Sequence, residues 1–412
     1  MPVAGNPYRP GFAEQPPVLA GREDDLAEMR RLIGTDGLGV GSFRVIYGQR
    51  GLGKTSLLTA FQQLATAREF DVITIECQPD APLLDHVFDH VERLDRISRR
   101  VRRSVHKLRN DWGDETQRLK LGIYEREARR QRPEISERIS TDLKQILTAV
   151  VEEVTEKRSG LMILVDEAQN AQGPDLAAIG SALDGIAKAR VGPCIVVFSG
   201  LNTLPGHIGD HMSYGERLAF SALGRLTPAA TTHALVQPAL DTGRRFEPDA
   251  LHHLTDAIDG YPYFVQLFGF HTTEAAGNSE LITFDHAQHG VAAGRQAARD
   301  GLYRLRWHRL TPAQRDYLYA TARISIDTAG AEVSTRAVAD ILGRKASDIT
   351  DRRSELILAG AIHATRQGYI ASDLPGFFGY VINDSGHSFD SEALADRLMP
   401  SDRAIDGTTT EL

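Results

Sequence analysis

Hydrophobic positions along this chain fall into helical and strand-like runs in alternation. Asp24 to Ile33 spaces Leu26, Met29, Arg30 and Ile33 along one face, which predicts a helix. Phe43-Arg44-Val45-Ile46-Tyr47 predicts a short buried strand, Lys54 to about Arg68 a helix, and Asp71 to Cys77 a second strand. Strand, loop, helix, strand is a βαβ unit and implies a parallel sheet. Leu161 to Val165 and Cys194 to Phe198 are apolar throughout, as strands buried on both faces are.

Residues 83–157 predict a mostly helical insert. From Leu235 to about Gln296 the pattern is again helical, broken at Gly260-Tyr261-Pro262. Thr311-Pro312 is an N-cap followed by proline at the first helical position. Beyond it, residues 311–375 fit a winged helix-turn-helix. Thr335 to Leu342 is a short helix, Gly343-Arg344-Lys345 a turn, and Ala346 to Leu358 the recognition helix; strands Ala361–Thr365 and Tyr369–Ser372 join at Gln367-Gly368. The expected organisation is an α/β core with a parallel sheet over 1–235, with the insert at about 83–157. A helical lid over 236–300, a winged helix over 301–383 and an acidic, disordered tail over 384–412 follow.

Composition changes this picture little. The 412 residues leave room for two or three domains. A net charge of −8 argues against coating nucleic acid over the whole surface, while leaving room for one basic face. Met1 to Pro7 lacks a signal-peptide pattern, and no apolar run is long enough to span a bilayer. Two cysteines, Cys77 and Cys194, read as buried thiols of a reducing cytoplasm.

The chemistry lies in two motifs. Gly48-Gln49-Arg50-Gly51-Leu52-Gly53-Lys54-Thr55 fits G-x-x-x-x-G-K-[ST], with a strand before it and a helix after it. Glycines let such a loop curl so that backbone N–H groups face phosphate oxygens, and the following helix adds its positive dipole end. The nucleotide-binding stretch is taken as Gly48 to Ser56. Lys54 supplies charge to the β/γ-phosphates of ATP, and Thr55 an oxygen to Mg²⁺. Leu161 to Val165 leads into Asp166-Glu167, where Asp166 is the second Mg²⁺ residue and Glu167 the general base that orients water. Ser199 or Asn202 is the candidate γ-phosphate sensor. Arg217 is the candidate arginine supplied in trans, in keeping with a homo-oligomer or a partner protein.

These residues resemble AAA+ and STAND ATPases related to Orc1/Cdc6. The approach Val18-Leu19-Ala20-Gly21-Arg22-Glu23, the two motifs, Ser213 to Leu226, Gly260-Tyr261-Pro262 and the winged helix carry the likeness, over about residues 1–380. The resemblance implies that Leu19 and Arg22 lie against the adenine. It also implies that Pro262 lies near the nucleotide, in the G-x-P manner of STAND switches. A sensor-2 arginine, usual in AAA+ lids, is missing from Gly260-Tyr261-Pro262-Tyr263, which implies a slow switch.

Two regions suggest a partner. Arg344, Lys345, Arg352 and Arg366 flank the predicted recognition helix and could meet double-stranded DNA, whereas its outer face carries Ser347, Asp351, Ser354 and Glu355, of which the two carboxylates would repel phosphates. Arg93, Arg96, Arg99, Arg100, Arg102, Arg103, Lys107 and Arg109, then Arg126, Arg129, Arg130 and Arg132, form a basic arm opposed only by Asp95 between Arg93 and Arg109. The expected protein is therefore an ATP- and Mg²⁺-dependent AAA+ switch acting on DNA, or a nucleotide-gated scaffold whose winged helix docks on protein.

Overall fold

The computed structural model describes residues 5–11, 14–34, 42–79, 81–95, 97–120, 137–156 and 159–387, without the side chains of 114–120 and 137–139. Arg96, Tyr124, Arg126, Arg129, Arg130, Arg132 and the tail beyond residue 387 lie outside the described residues.

The core is a five-stranded, all-parallel sheet of β1 (Phe43–Tyr47), β2 (Phe70–Glu76), β3 (Gly160–Asp166), β4 (Cys194–Gly200) and β5 (Ala219–Ala222). Its order is β2-β3-β4-β1-β5. Strands β3 and β4 are buried along their whole length, as their unbroken apolar runs require. Because strand side chains alternate, the sheet serves two cores. Ile46, Met162, Leu164, Ile195 and Val197 pack toward α1 (Glu23–Gly34) and α2 (Lys54–Thr66). Val45, Ile73, Ile163, Val165 and Phe198 pack toward α3 (Leu83–Arg93), α4 (Arg99–Lys120), α5 (Glu137–Thr155) and α6 (Gly173–Ala189). Cys77 and Cys194 are free and buried, and burial pushes both thiols up to about 12.

In α4, Val101, Val105, Leu108 and Trp112 recur at helical spacing and are buried, while Arg99, Arg100, Arg102, Arg103 and Lys107 face outward. After α7 (Leu204–His211), the helical unit at the position expected for a lid consists of α8 (Pro228–Asp241), α9 (Pro248–Ile258), α10 (Pro262–Ala276) and α11 (Phe284–Ala298). A two-residue parallel pair, β6 (Arg245–Phe246) with β7 (Leu281–Ile282), ties it together. The predicted break is real: Asp259 and Gly260 take positive φ values of 51° and 64°, ending α9 before Pro262 opens α10.

The C-terminal unit runs through α12 (Arg304–His308), α13 (Pro312–Asp327), β8 (Val333–Ser334), α14 (Thr335–Ile341), α15 (Thr350–Leu358), β9 (Ile362–Arg366), β10 (Tyr369–Ser372) and α16 (Phe377–Asn383). Thr311 and Gln314 form a capping box on α13. Strands β8, β10 and β9 make an antiparallel sheet.

Two expectations change, and one contact is added. The predicted recognition helix splits into a 3-10 turn, Ala346–Ile349, and α15, because buried Ile349 anchors the chain between them. In α1, Leu32 is buried and Arg30 exposed, so the apolar face is Met29, Leu32 and Ile33. Residues near the N-terminus lie against the lid: Asn6 Nδ2 donates to Phe270 O (2.9 Å), and Tyr8 Oη to Leu235 O (2.5 Å).

Candidate nucleotide site

The phosphate loop leaves β1 still tied to its neighbours. Gly48 N–H donates to Gly200 O on β4 (3.1 Å), and Leu223 N–H to Tyr47 O (2.7 Å). A Cβ on Gly48 would stand 2.5 Å from Leu223 O, so only glycine fits. Gly51 and Gly53 take φ values of 79° and 86°, the region glycine adopts without penalty. The loop thus curls into the N-terminus of α2.

Four of its carbonyl groups are held by side chains. Lys54 Nζ donates to Gly48 O (3.0 Å) and Gln49 O (2.8 Å). Tyr261 Oη donates to Arg50 O (2.7 Å), and Arg22 Nη2 to Leu52 O (3.0 Å). Among the described residues, no backbone N–H from Gln49 to Ser56 donates within the chain. Such groups need a partner when covered, so the loop presents a row of unused donors beside the positive end of α2.

The acidic pair sits where the strand ends. Asp166 is 8% exposed, and its Oδ2 accepts from Thr55 Oγ1 at 2.6 Å. Its Oδ1 accepts from the Glu167 N–H (2.9 Å). Glu167 turns out of the strand with φ 51°, in the left-handed region, and Gln169 Nε2 donates to its carboxylate. Gln169 Oε1 in turn accepts from Leu201 N–H (3.0 Å), which ties the acidic turn to the end of β4. Burial pulls the Lys54 ammonium below its ordinary value, against the raising pull of Glu167 and Asp166.

These groups open onto a cleft of about 500 Å³ lined by Arg50 to Ser56, Asp166 and Glu167, with Leu19, Arg22, Pro262 and Tyr263 on its other walls. Arg9, Pro10, Glu14, Gln15 and Pro16 also line it. Most expected residues therefore meet in one place, with refinements. Gly48 and Gln49 lie behind the cleft and contribute carbonyls to Lys54. Arg22 is at the cleft wall, but its guanidinium is spent on the carbonyls of Gly21, Leu52 and Gly224. It braces the loop. Ser199 is fully buried in β4 on the α2 face, its hydroxyl without a partner, and does not line the cleft; Asn202 is exposed.

Arg217 is 71% exposed at the edge of the sheet, stacked on Tyr214 and 3.7 Å from Asp184. It is not among the residues that line the cleft. Arg344 and Lys345 are exposed, Arg352 is half-buried, and Arg366 is engaged by Glu332 and the Tyr369 ring. His90 Nδ1 bonds to His86 O, and among the described residues no cluster of His, Cys, Asp or Glu is arranged to hold a metal.

Sequence reasoning missed the N-terminal strap and the contacts of Tyr261 and Arg306. Arg306 Nη1 donates to Gly360 O, and the Arg50 side chain lies against Gly360, where a Cβ would stand 3.1 Å from Arg50 Cδ. Asp373 is 4% exposed and adds its field to Lys54 and Arg306. The C-terminal unit therefore touches the phosphate loop from behind. Glycines 51 and 360 were the legible trace of that approach.

The AAA ATPase domain matches residues 18–197, and a domain of unknown function (DUF8462) matches residues 300–381. No curated protein matches the chain. Among solved structures, the fold is similar to a Walker-type ATPase of Pyrococcus abyssi, at 14% identity and TM-score 0.53, over 90% of this chain and 99% of that one. Looser similarity extends to Cdc6p from Pyrobaculum aerophilum (14% identity, TM-score 0.43, 95% of this chain and 98% of that one). It extends also to the Aeropyrum pernix Orc1 protein in complex with DNA (14%, TM-score 0.45, 92% and 94%).

Proposed function

We propose that this chain, whose residues 18–197 form an AAA ATPase domain, binds and slowly hydrolyses ATP as a switch that moves its lid and C-terminal unit. The observation that carries this reading is the row of unused N–H donors from Gln49 to Ser56, curled at the start of α2 and facing Asp166 and Glu167 across one cleft. Lys54 would transfer its charge from the Gly48 and Gln49 carbonyls to the terminal phosphates.

Thr55 Oγ1 and Asp166 Oδ2, hard oxygen atoms 2.6 Å apart, suit Mg²⁺. When bound there, the ion neutralises charge on the phosphate oxygens. Glu167, turned into the cleft and steadied by Gln169, accepts the proton of the attacking water. Arg217 is offered outward for a second copy of the chain, so turnover should rise with protein concentration.

The region from β8 to β10 has the order of a winged helix, and we assign it, with 301–383, to partner binding. Ser347, Asp348, Asp351, Ser354 and Glu355 are all exposed on its outer side. These carboxylates favour a protein partner there. Double-stranded DNA is better matched by the outward face of α4, with Arg344 and Lys345 as auxiliary contacts. The lid assignment to 236–300 fits α9 to α11, and α8 joins it from Pro228.

The direct test is titration of MgATP and of ATP with EDTA against the folded protein, with Lys54→Ala beside it. Magnesium-dependent binding that disappears in the variant is expected. Folded wild-type protein with no magnesium-dependent affinity for any nucleotide would overturn the reading.

A further inference from the structure

We propose that Tyr261 is a positioning residue for phosphate binding: from the lid, its hydroxyl holds the Arg50 carbonyl outward and so aims the Gly51 N–H into the cradle. The inference rests on the nucleotide reading above. A trans peptide is planar, so the C=O of one residue and the N–H of the next point in opposite directions. Fixing the Arg50 carbonyl therefore fixes the direction of the Gly51 N–H.

Tyr261 is suited to the task. It is 1% exposed, so water does not compete for its hydroxyl, and the bond to Arg50 O is 2.7 Å. Burial pushes the hydroxyl up to about 12, which keeps it a donor at any physiological pH. The loop is cut to receive it: a Cβ on Gly51 would stand 2.1 Å from Tyr261 Oη and 2.6 Å from Cζ. Any other residue at 51 would displace the clamp as well as strain the loop.

A second clamp shows the same logic. Arg22 Nη2 holds Leu52 O, which directs the Gly53 N–H inward. The two differ in where they come from. Arg22 stands just before α1, on the core. Tyr261 caps α10, in the lid. Only the Gly51 amide is therefore aimed by the element that carries the G-x-P turn. In a lid with no arginine at that turn, Tyr261 gives the lid an indirect grip on the phosphates, through the backbone of the loop.

The chain of contacts continues. Arg306 lies beside Tyr261, close enough for each charge to act on the other, and its Nη1 donates to Gly360 O of the C-terminal unit. The position of that unit is thus connected to one amide of the cradle through two side chains.

The test compares Tyr261→Phe with wild type in MgADP and MgATP binding. The ring and its packing remain, and one buried hydrogen bond is lost. Binding is expected to weaken about five- to tenfold. Hydrogen exchange of the loop peptide spanning residues 48–55 in the ADP-bound protein should accelerate as well. Tyr303→Phe, which removes another buried tyrosine hydroxyl bond, to Pro375 O outside the cleft, is expected to bind as wild type. Gly51→Ala, which drives a methyl group into the hydroxyl, should lose at least as much affinity as Tyr261→Phe and covers the case of a poorly folding phenylalanine variant. Wild-type affinity within twofold in Tyr261→Phe, or an equal loss in Tyr303→Phe, overturns the clamp and leaves the nucleotide site standing. A wild-type protein that binds no nucleotide removes both.

Discussion

Gly269 in the middle of α10 offers a sign test for the N-terminal strap. A glycine inside a helix is ordinarily improved by alanine, by about 1 kcal/mol. Here the added Cβ would meet the Tyr8 ring at 2.7 Å (Cδ1), 2.8 Å (Cγ) and 2.9 Å (Cε1). The ring cannot simply lean away, because Tyr8 is 1% exposed and its hydroxyl is bonded to Leu235 O. Overpacking of this kind costs about 1–3 kcal/mol. Displacing the ring would forfeit a further hydrogen bond of about 1 kcal/mol. The expected net effect of Gly269→Ala is therefore a loss of about 1–3 kcal/mol instead of a gain of about 1. In a Tyr8→Ala background the obstacle is gone, and the same substitution should stabilise by about 1 kcal/mol.

The assay is a thermal and urea double-mutant cycle across the four proteins, with nucleotide affinity measured alongside. The strap runs on from Tyr8 through Arg9, Pro10, Glu14, Gln15 and Pro16, which line the cleft. Gly269→Ala should therefore also weaken MgATP binding, and this effect should be absent in the Tyr8→Ala background. A Gly269→Ala protein that melts above wild type, or shows the same shift in both backgrounds, refutes the packing of Tyr8 on α10.

Three further outcomes are expected. Glu167→Gln should keep MgATP binding within about twofold and lower turnover by about 10²–10⁴, the usual contribution of a general base; unchanged turnover in a rate assay would remove Glu167 from that role. Reversing Arg99, Arg103 and Lys107 to Glu should abolish salt-sensitive duplex binding in a low-salt fluorescence titration, whereas reversing Arg344 and Lys345 should weaken it only partly; the opposite ranking would shift the interface to the C-terminal unit. Asp175 is fully buried with one carboxylate oxygen accepting from Leu83 N–H (2.6 Å) and the other unpartnered, and burial pushes its carboxyl up to about 7. A folded value above the unfolded one favours the neutral form, so its contribution is full below about pH 4 and lost as pH rises through about 7. Asp175→Asn should accordingly exceed wild type in unfolding free energy at pH 8, by up to about 4 kcal/mol, and converge with it near pH 4; a gap that does not change with pH would refute this.

The candidate nucleotide loop was legible in the sequence because the pattern it needs is local. Phosphate binding demands glycines, a lysine and a hydroxyl within one turn, and Gly48 to Thr55 supplies them in order. Asp166 and Glu167 were legible for a similar reason: the end of an unbroken apolar strand faces the crevice of a parallel sheet. The partners of that loop were not, because they come from far along the chain. Arg22 is 30 residues from Leu52, and Tyr261 is 211 residues from Arg50. No periodicity reports such a meeting. The trace they leave is a glycine where another backbone or ring approaches, as at Gly51, Gly269 and Gly360. The swap of Arg30 for Leu32 on α1 has a different origin. Positions 29, 30, 32 and 33 all lie within one turn, so spacing alone does not choose between the two, and the cost of burying a guanidinium does.

The Tyr261 clamp also sets a limit on what nucleotide can do unaided. Coupling is reciprocal: if a docked lid strengthens nucleotide binding fivefold to tenfold, bound nucleotide favours the docked lid by the same factor, about 1–1.4 kcal/mol. Carrying a two-state lid from one side to the other takes a differential near 10⁴, or about 5.5 kcal/mol. One peptide held by one hydroxyl falls well short. The balance must come from contacts that report nucleotide through other groups. The strap over the cleft and the Arg50–Gly360–Arg306 contact behind the loop are the two that reach it. Each alone is also modest. A switch assembled from several small couplings responds in proportion to how many are engaged. In such a molecule a partner on the basic face of α4 or on the C-terminal unit would act as a co-ligand, completing a transition that ATP begins. Nucleotide affinity should then rise when the partner is present, and it should rise less in Tyr261→Phe than in wild type.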